Sequence, residues 1–117
     1  MKIRLKVKDT LISGTLNDSG TARDFISLLP ITLKMNDLFK REKFGHLPRT
    51  ISDDGKPTHT YKVGNVAYWS PGPDVAIFYR QDGRRIPEPG IIVIGTLDSV
   101  EGLNGPGSVK VTIEPER

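Results

Sequence analysis

The chain has 117 residues, enough for one domain spanning residues 1–117, and sets 17 Lys and Arg against 14 Asp and Glu for a formal charge of +3. That excess is too small for the dense basic stripe of a committed nucleic-acid binder, and the absence of cysteine excludes disulfides, thiolate catalysis and Cys-based metal sites. Only two histidines are present, His46 and His59, without a metal-ligand spacing, and no apolar run approaches the roughly 18–20 residues of a membrane span. No metal, cofactor, nucleic acid or membrane is therefore expected, and the chain, which has no signal-peptide apolar region at its start, is expected in the cytoplasm. Lys2 to Lys8 alternates basic and apolar residues, the pattern of a half-buried strand. A turn at Lys8-Asp9 leads to a second strand over 10–16, and the two are expected to form a hairpin. Asn17 to Gly20 is turn chemistry. Thr21 then reads as a helix cap, with Asp24 near the positive end of the helix dipole. Ala22, Phe25, Ile26, Leu28 and Leu29 supply one apolar face, and Pro30 ends the helix after about nine residues.

Ile31 to Met35 alternates as a third strand. Asn36 to Gly45 is charged and fits either a helical turn or an ordered loop; 47–52 reads as a short strand and 56–61 as loop. Strands follow at 66–70 and 75–80, joined tightly by Pro71 to Asp74. After a polar loop, 90–97 is apolar and β-branched, as in a strand buried on both faces. One helical turn is expected over 99–103, and 108–114 closes the chain as a strand. About eight short strands with regular turn signals favour a closed barrel, sealed by pairing of the terminal strands Ile3–Val7 and Val109–Ile113.

Three stretches resemble the cyclophilins. Thr21-Ala22-Arg23-Asp24-Phe25 is similar to the T-A-x-N-F opening of the first cyclophilin helix. Gly64 to Pro73 is similar to the strand and turn G-x-L-S-M-A-N-A-G-P, and Val75 to Tyr79 stands where S-Q-F-F-I follows. Ile91-Ile92-Val93-Ile94-Gly95 resembles H-V-V-F-G, and Glu101-Gly102-Leu103 resembles the E-G-M after it. The spacing from Phe78 to Gly95 matches without a gap. Over nearly its whole length the chain resembles the small bacterial and archaeal cyclophilin-like proteins. The resemblance implies an all-β, cyclophilin-like closed barrel of about eight strands with one or two short helices.

For the site, the resemblance puts Phe78 on the phenylalanine of the cyclophilin proline pocket. The tryptophan and histidine of the pocket rim fall on Ile86 and Ile91, and the strand glutamine on Ala76. Arg49, in His46-Leu47-Pro48-Arg49-Thr50-Ile51, lies in the region of the catalytic arginine of F-H-R-I-I-P; the Q-G-G-D segment that follows there has no counterpart in Ile51 to Gly55. Rotation about an X-Pro bond faces a barrier of about 18–20 kcal/mol. Lowering it takes an apolar pocket and a cationic donor aimed at the amide as it loses resonance. Phe78 and Arg49 are the catalytic candidates on this reading.

Each conspicuous residue also has a plain structural reading. Phe78 is equally at home in a core. Tyr68 and Trp69 face opposite ways along a strand, so one is expected inside the barrel and the other along a cleft wall. His46, beside Arg49, can polarise a carbonyl or be an idle loop histidine. Arg80, Arg84 and Arg85 fit a solvated loop. The Lys2, Arg4, Lys6 and Lys8 face offers phosphate contacts but equally guards a strand face against aggregation. The expected function is binding of an apolar or proline-containing ligand, a peptide or a small molecule, in a barrel-side cleft formed by Phe78, Tyr68, Trp69, His46, Ile86 and Ile91. The second reading is a slow peptidyl-prolyl isomerase. The sequence leaves the oligomeric state open.

Overall fold

The computed structural model describes residues 1–116. The chain runs β1 (Lys2–Val7), β2 (Thr10–Leu16), α1 (Gly20–Ile26), β3 (Ile31–Leu38), β4 (Glu42–His46), β5 (Asn65–Trp69), β6 (Asp74–Phe78), β7 (Ile92–Leu97) and β8 (Val109–Pro115). The strands close into an antiparallel barrel in the order β1-β2-β7-β5-β6-β4-β3-β8. As expected, the terminal strands seal it, with Leu5 opposite Ile113 and Val7 opposite Val111. Alternation in β1 puts Ile3, Leu5 and Val7 inside and Lys2 and Lys6 in water. Closure leaves no unpaired strand edge, which removes the usual route to edge-to-edge aggregation.

The helix is shorter than the sequence suggests and its cap differs. Ser19, not Thr21, accepts the N–H of Ala22 at 3.1 Å. Thr21 is fully buried, and its hydroxyl oxygen accepts from the backbone N–H of Gly55 at 3.1 Å. Asp24 accepts from the Ser52 N–H at 2.7 Å. The helix thus inserts Ala22 and Phe25 into the barrel core and pins the 49–55 segment with its polar side.

Three further expectations are corrected. The 36–45 segment is neither helical turn nor loop but the end of β3, a tight turn and β4. Phe39 and Lys40 both adopt left-handed backbone (φ 60° and 52°), and the Arg41 N–H donates to the Leu38 carbonyl at 3.1 Å. This is the hairpin turn that suits strand twist, a geometry usually given to Asn-Gly, so Phe39-Lys40 carries no turn signal in the sequence. The 47–52 segment is not a strand: Leu47 and Ile51 drop into the core from a loop. The 99–103 segment is a turn rather than a helix, leaving α1 as the one helix among the described residues.

Two apolar clusters result. The larger fills the barrel and takes Val66 and Tyr68 from β5, Val75 and Ile77 from β6, and Ile92 and Ile94 from β7. The smaller lies on the outer face of the same strands and contains Tyr61, Ala67, Ala76, Phe78, Ile86 and Ile91. Its outward residues escape water because the connections 58–64 and 79–91 fold over them. Thr58 bridges Ile91, the Ile86 N–H donates to the His59 carbonyl at 2.9 Å, and the Gln81 amide donates to the Tyr61 carbonyl at 2.8 Å.

Candidate functional site

The outer face of β4, β6 and β5 is a small grid. Glu42 stands opposite Phe78, Phe44 opposite Ala76, and His46 opposite Asp74. Ala76 in turn pairs with Ala67, and Asp74 with Trp69. The small side chain of Ala76 leaves a hollow where neighbouring positions carry aromatic rings. The β3–β4 turn raises one wall with Leu38, Phe39 and Arg41, and the loop before β7 raises another with Ile86, Pro87 and Ile91. The result is a cleft of about 280 Å³, near the lower end of the range for small-ligand sites. Three of the four phenylalanines and the only tryptophan line it.

One end of the cleft is charged. Arg41 is only 5% exposed and Glu42 7%. The Arg41 Nε donates to Glu42 Oε2 at 2.9 Å, a terminal guanidinium nitrogen lies 2.6 Å from the same oxygen, and the other lies 3.8 Å from Asp82. The guanidinium also sits over the rings of Phe39, Tyr61 and Phe78, at 5.3, 5.5 and 5.7 Å from their centroids. Tyr61 and Phe78 are themselves stacked at 4.2 Å. Arg is suited to this because its flat, weakly hydrated cation accepts both carboxylate and ring faces. Burial pushes the Glu42 carboxyl up, against the pull of Arg41. Asp82 is held low, first by the Arg84 backbone N–H, then by the Tyr61 hydroxyl and Arg41, against burial. At the other end, Asp74 lines the cleft and its carboxylate is 2.9 Å from Nδ1 of His46.

The sequence model of the cyclophilin-like family matches residues 5–114. The chain belongs to the cyclophilin-like family. Among solved structures, a hypothetical protein of Archaeoglobus fulgidus, determined in solution, has the same fold. Its TM-score is 0.77 at 24% identity, covering 99% of this chain and 95% of that one. No curated protein matches the chain.

In this cyclophilin-like barrel the candidate residues separate. Phe78, Trp69, Ile86 and Ile91 line the cleft. Tyr68 does not: the alternation of β5 turns it into the barrel, where its hydroxyl accepts the Ile51 N–H at 3.3 Å. His46 is at the mouth, largely in solvent, and touches the cleft only through Asp74. Arg49 is away from Phe78. Its guanidinium donates to Asp24 and to the Ser27 hydroxyl, each at 2.9 Å, which ties the 49–52 loop to α1. The cation beside Phe78 is Arg41 instead. Asp74, read from the sequence as a turn residue, is the second acid of the cleft. Neither residue carries a sequence signal for this role, although Phe44 two residues after Glu42 continues the outward face of β4. On the basic face of β1, Arg4 donates to Glu114 at 2.7 Å and Lys2 to Thr15 at 2.9 Å, so cross-strand partners hold part of that stripe. Among the described residues, no group of His, Asp and Glu is placed to hold a metal ion, and no helix is long and apolar enough to cross a membrane.

Proposed function

We propose that this protein is a binding module that takes an apolar or proline-containing group into the cleft over Ala76 and Phe78. The observation that carries the reading is a hollow with an alanine floor inside an aromatic rim, on the outside of a barrel whose own core is already filled. Apolar surface left in such a hollow gains free energy when a ligand displaces water, at roughly 25 cal/mol per Å² of apolar area covered.

The second reading, weak prolyl isomerisation, rests on the cation beside Phe78. That cation is Arg41, and its guanidinium is already committed to Glu42 and stacked on rings. A donor so engaged is poorly placed to follow an amide as it twists, which favours binding over catalysis. Arg49, held by Asp24 and Ser27 of the helix region, lies outside the cleft lining.

A short Ala-Pro peptide examined by NMR exchange spectroscopy with substoichiometric protein tests both. The expected result is movement of the Ala76 and Phe78 amide resonances with no gain in cis–trans exchange. Ala76→Trp, which fills the hollow, is expected to abolish the movement. Faster exchange overturns the binding-only reading in favour of isomerisation. If neither quantity changes, the proline reading fails.

A further inference from the structure

The polar groups of the cleft are unequal. Among the described residues its one lining cation, Arg41, is engaged by Glu42 at 2.6 Å and faces Asp82 at 3.8 Å. Its lining acids are two, Glu42 and Asp74. They stand at opposite ends of the hollow. Asp74 and Phe78, the partner of Glu42, are four residues apart on β6, which at about 3.3 Å per residue separates the acids by roughly 13 Å. Asp74 is therefore not compensated by Arg41, and its side-chain partner is the solvent-facing His46 ring, at 2.9 Å. Trp69 is the direct cross-strand partner of Asp74, and Phe44 flanks the next row. A carboxylate, an indole and a phenyl ring at neighbouring positions of one cleft-lining face are the side-chain types that recognise an organic cation: aromatic faces attract the charge and cover its methylene groups, and the acid neutralises it. An anionic ligand meets the opposite, two carboxylates and a guanidinium already paired with one of them.

We infer that the ligand of this cleft carries an ammonium group, seated at Asp74 and Trp69, with its apolar body lying over Ala76 toward Phe78. This rests on the cleft being a binding site and specifies the chemistry it selects. It also assigns Asp74 and Trp69 as the residues that set specificity, and leaves Arg41 and Glu42 as a paired end wall.

Three probes of similar shape test it: 2-phenylethylammonium, 2-phenylethanol and 3-phenylpropionate. Binding is followed by Trp69 fluorescence and by the amide resonances of Ala76 and Phe78. The ammonium is expected to bind about tenfold more tightly than the alcohol, with the propionate weakest. Asp74→Asn is expected to remove the preference for the ammonium over the alcohol. Nα-acetyl-lysinamide, added as a fourth probe, separates the sources of the amine. If it binds more tightly than 2-phenylethylammonium, the ammonium belongs to a peptide side chain; if more weakly, to a small free amine; either order supports the assignment. Equal binding of ammonium and alcohol, preference for the propionate, or a preference that survives Asp74→Asn overturns the inference while the cleft reading stands. If none of the probes moves the cleft resonances, the cleft reading itself fails and the inference with it.

Discussion

Glu42 and Lys43 are chain neighbours with opposite fates. Lys43 points to the inner side of β4 and is 1% exposed. Its ammonium donates to Asp37 at 3.0 Å and to the carbonyls of Gly105 and Gly107 at 2.6 Å each. Asp37 in turn accepts from the Tyr79 hydroxyl and the Lys40 N–H. Every donor of that cation has an acceptor, and the arrangement locks the 104–107 turn to β3 and β4. Glu42 points outward, shares Arg41 as its partner and looks onto a hollow. A saturated charge acts as a structural tie; a paired charge beside open space forms a wall of the cleft. Burial alone does not distinguish the two, and the faces of one strand do.

The contrast breaks most visibly on removing the cations. Lys43→Met leaves Asp37 and two carbonyls without their donor, a loss expected to cost about 3 kcal/mol in chemical denaturation. Arg41→Met leaves Glu42 beside a cleft that water can enter, and about 1–2 kcal/mol is expected. The opposite order of the two midpoints would mean that the outer pair, not the inner tie, is the principal polar support of β4.

The sequence carries much of this barrel but little of that contrast. β1, β2 and β8 are legible because a half-buried strand repeats every two residues and their charged residues all fall outside. β4 is not, because Arg41, Glu42 and Lys43 are three consecutive charged residues that the fold buries. Their partners, Asp37, Asp82 and the 105–107 carbonyls, come from other elements, so no local pattern announces them. The left-handed Phe39-Lys40 turn hides the hairpin for a similar reason: its conformation is held from outside, by the Arg80 Nε donating to the Lys40 carbonyl at 2.7 Å and the Tyr79 N–H donating to the Arg41 carbonyl at 2.9 Å. Within the site, Phe78 was reachable through family resemblance. The pairing of Trp69 with Asp74 depends on the register of two strands, which a sequence alone does not state.

Acid and base act on the two faces with opposite signs. Burial would raise Asp37, but the hydrogen bonds from Tyr79 and Lys43 outweigh it, and its carboxyl is held below the ordinary aspartate value. Its stabilising contribution is complete above about pH 4 and is lost as pH falls through the lowered value. Glu42 is raised by burial. Its contribution is complete below the ordinary glutamate value and is lost as pH rises through the raised one. Stability measured against pH is therefore expected to lose part of its acid limb in Asp37→Asn. Glu42→Gln is expected to remove a decline on the neutral side. If both variants flatten the same limb, the two carboxyls share one environment and the distinction between the faces is wrong. The Tyr79 hydroxyl, pushed up to about 12 by burial and by Asp37, stays protonated throughout and takes no part in either limb.

The smallest effect belongs to Arg49, and it separates a loop anchor from a site residue. Its guanidinium is well exposed, and an exposed ion pair contributes little to global stability. The Asp24 carboxyl is held low first by the hydrogen bond from Arg49 and then by the Ser52 N–H, so the pair is formed, but it joins the loop to α1 and stands apart from the cleft lining. Arg49→Ala is expected to leave the thermal midpoint almost unchanged and to speed amide hydrogen exchange at Ser52 and Gly55. The response of Ala76 and Phe78 to a cleft ligand should stay as in the parent protein. A weakened ligand response without faster exchange in the loop would return Arg49 to the site and move the functional centre from the outer face of β6 toward the helix. With the loop loosened and the cleft indifferent, the cation that matters beside Phe78 is Arg41, which the fold delivers from the opposite end of β4.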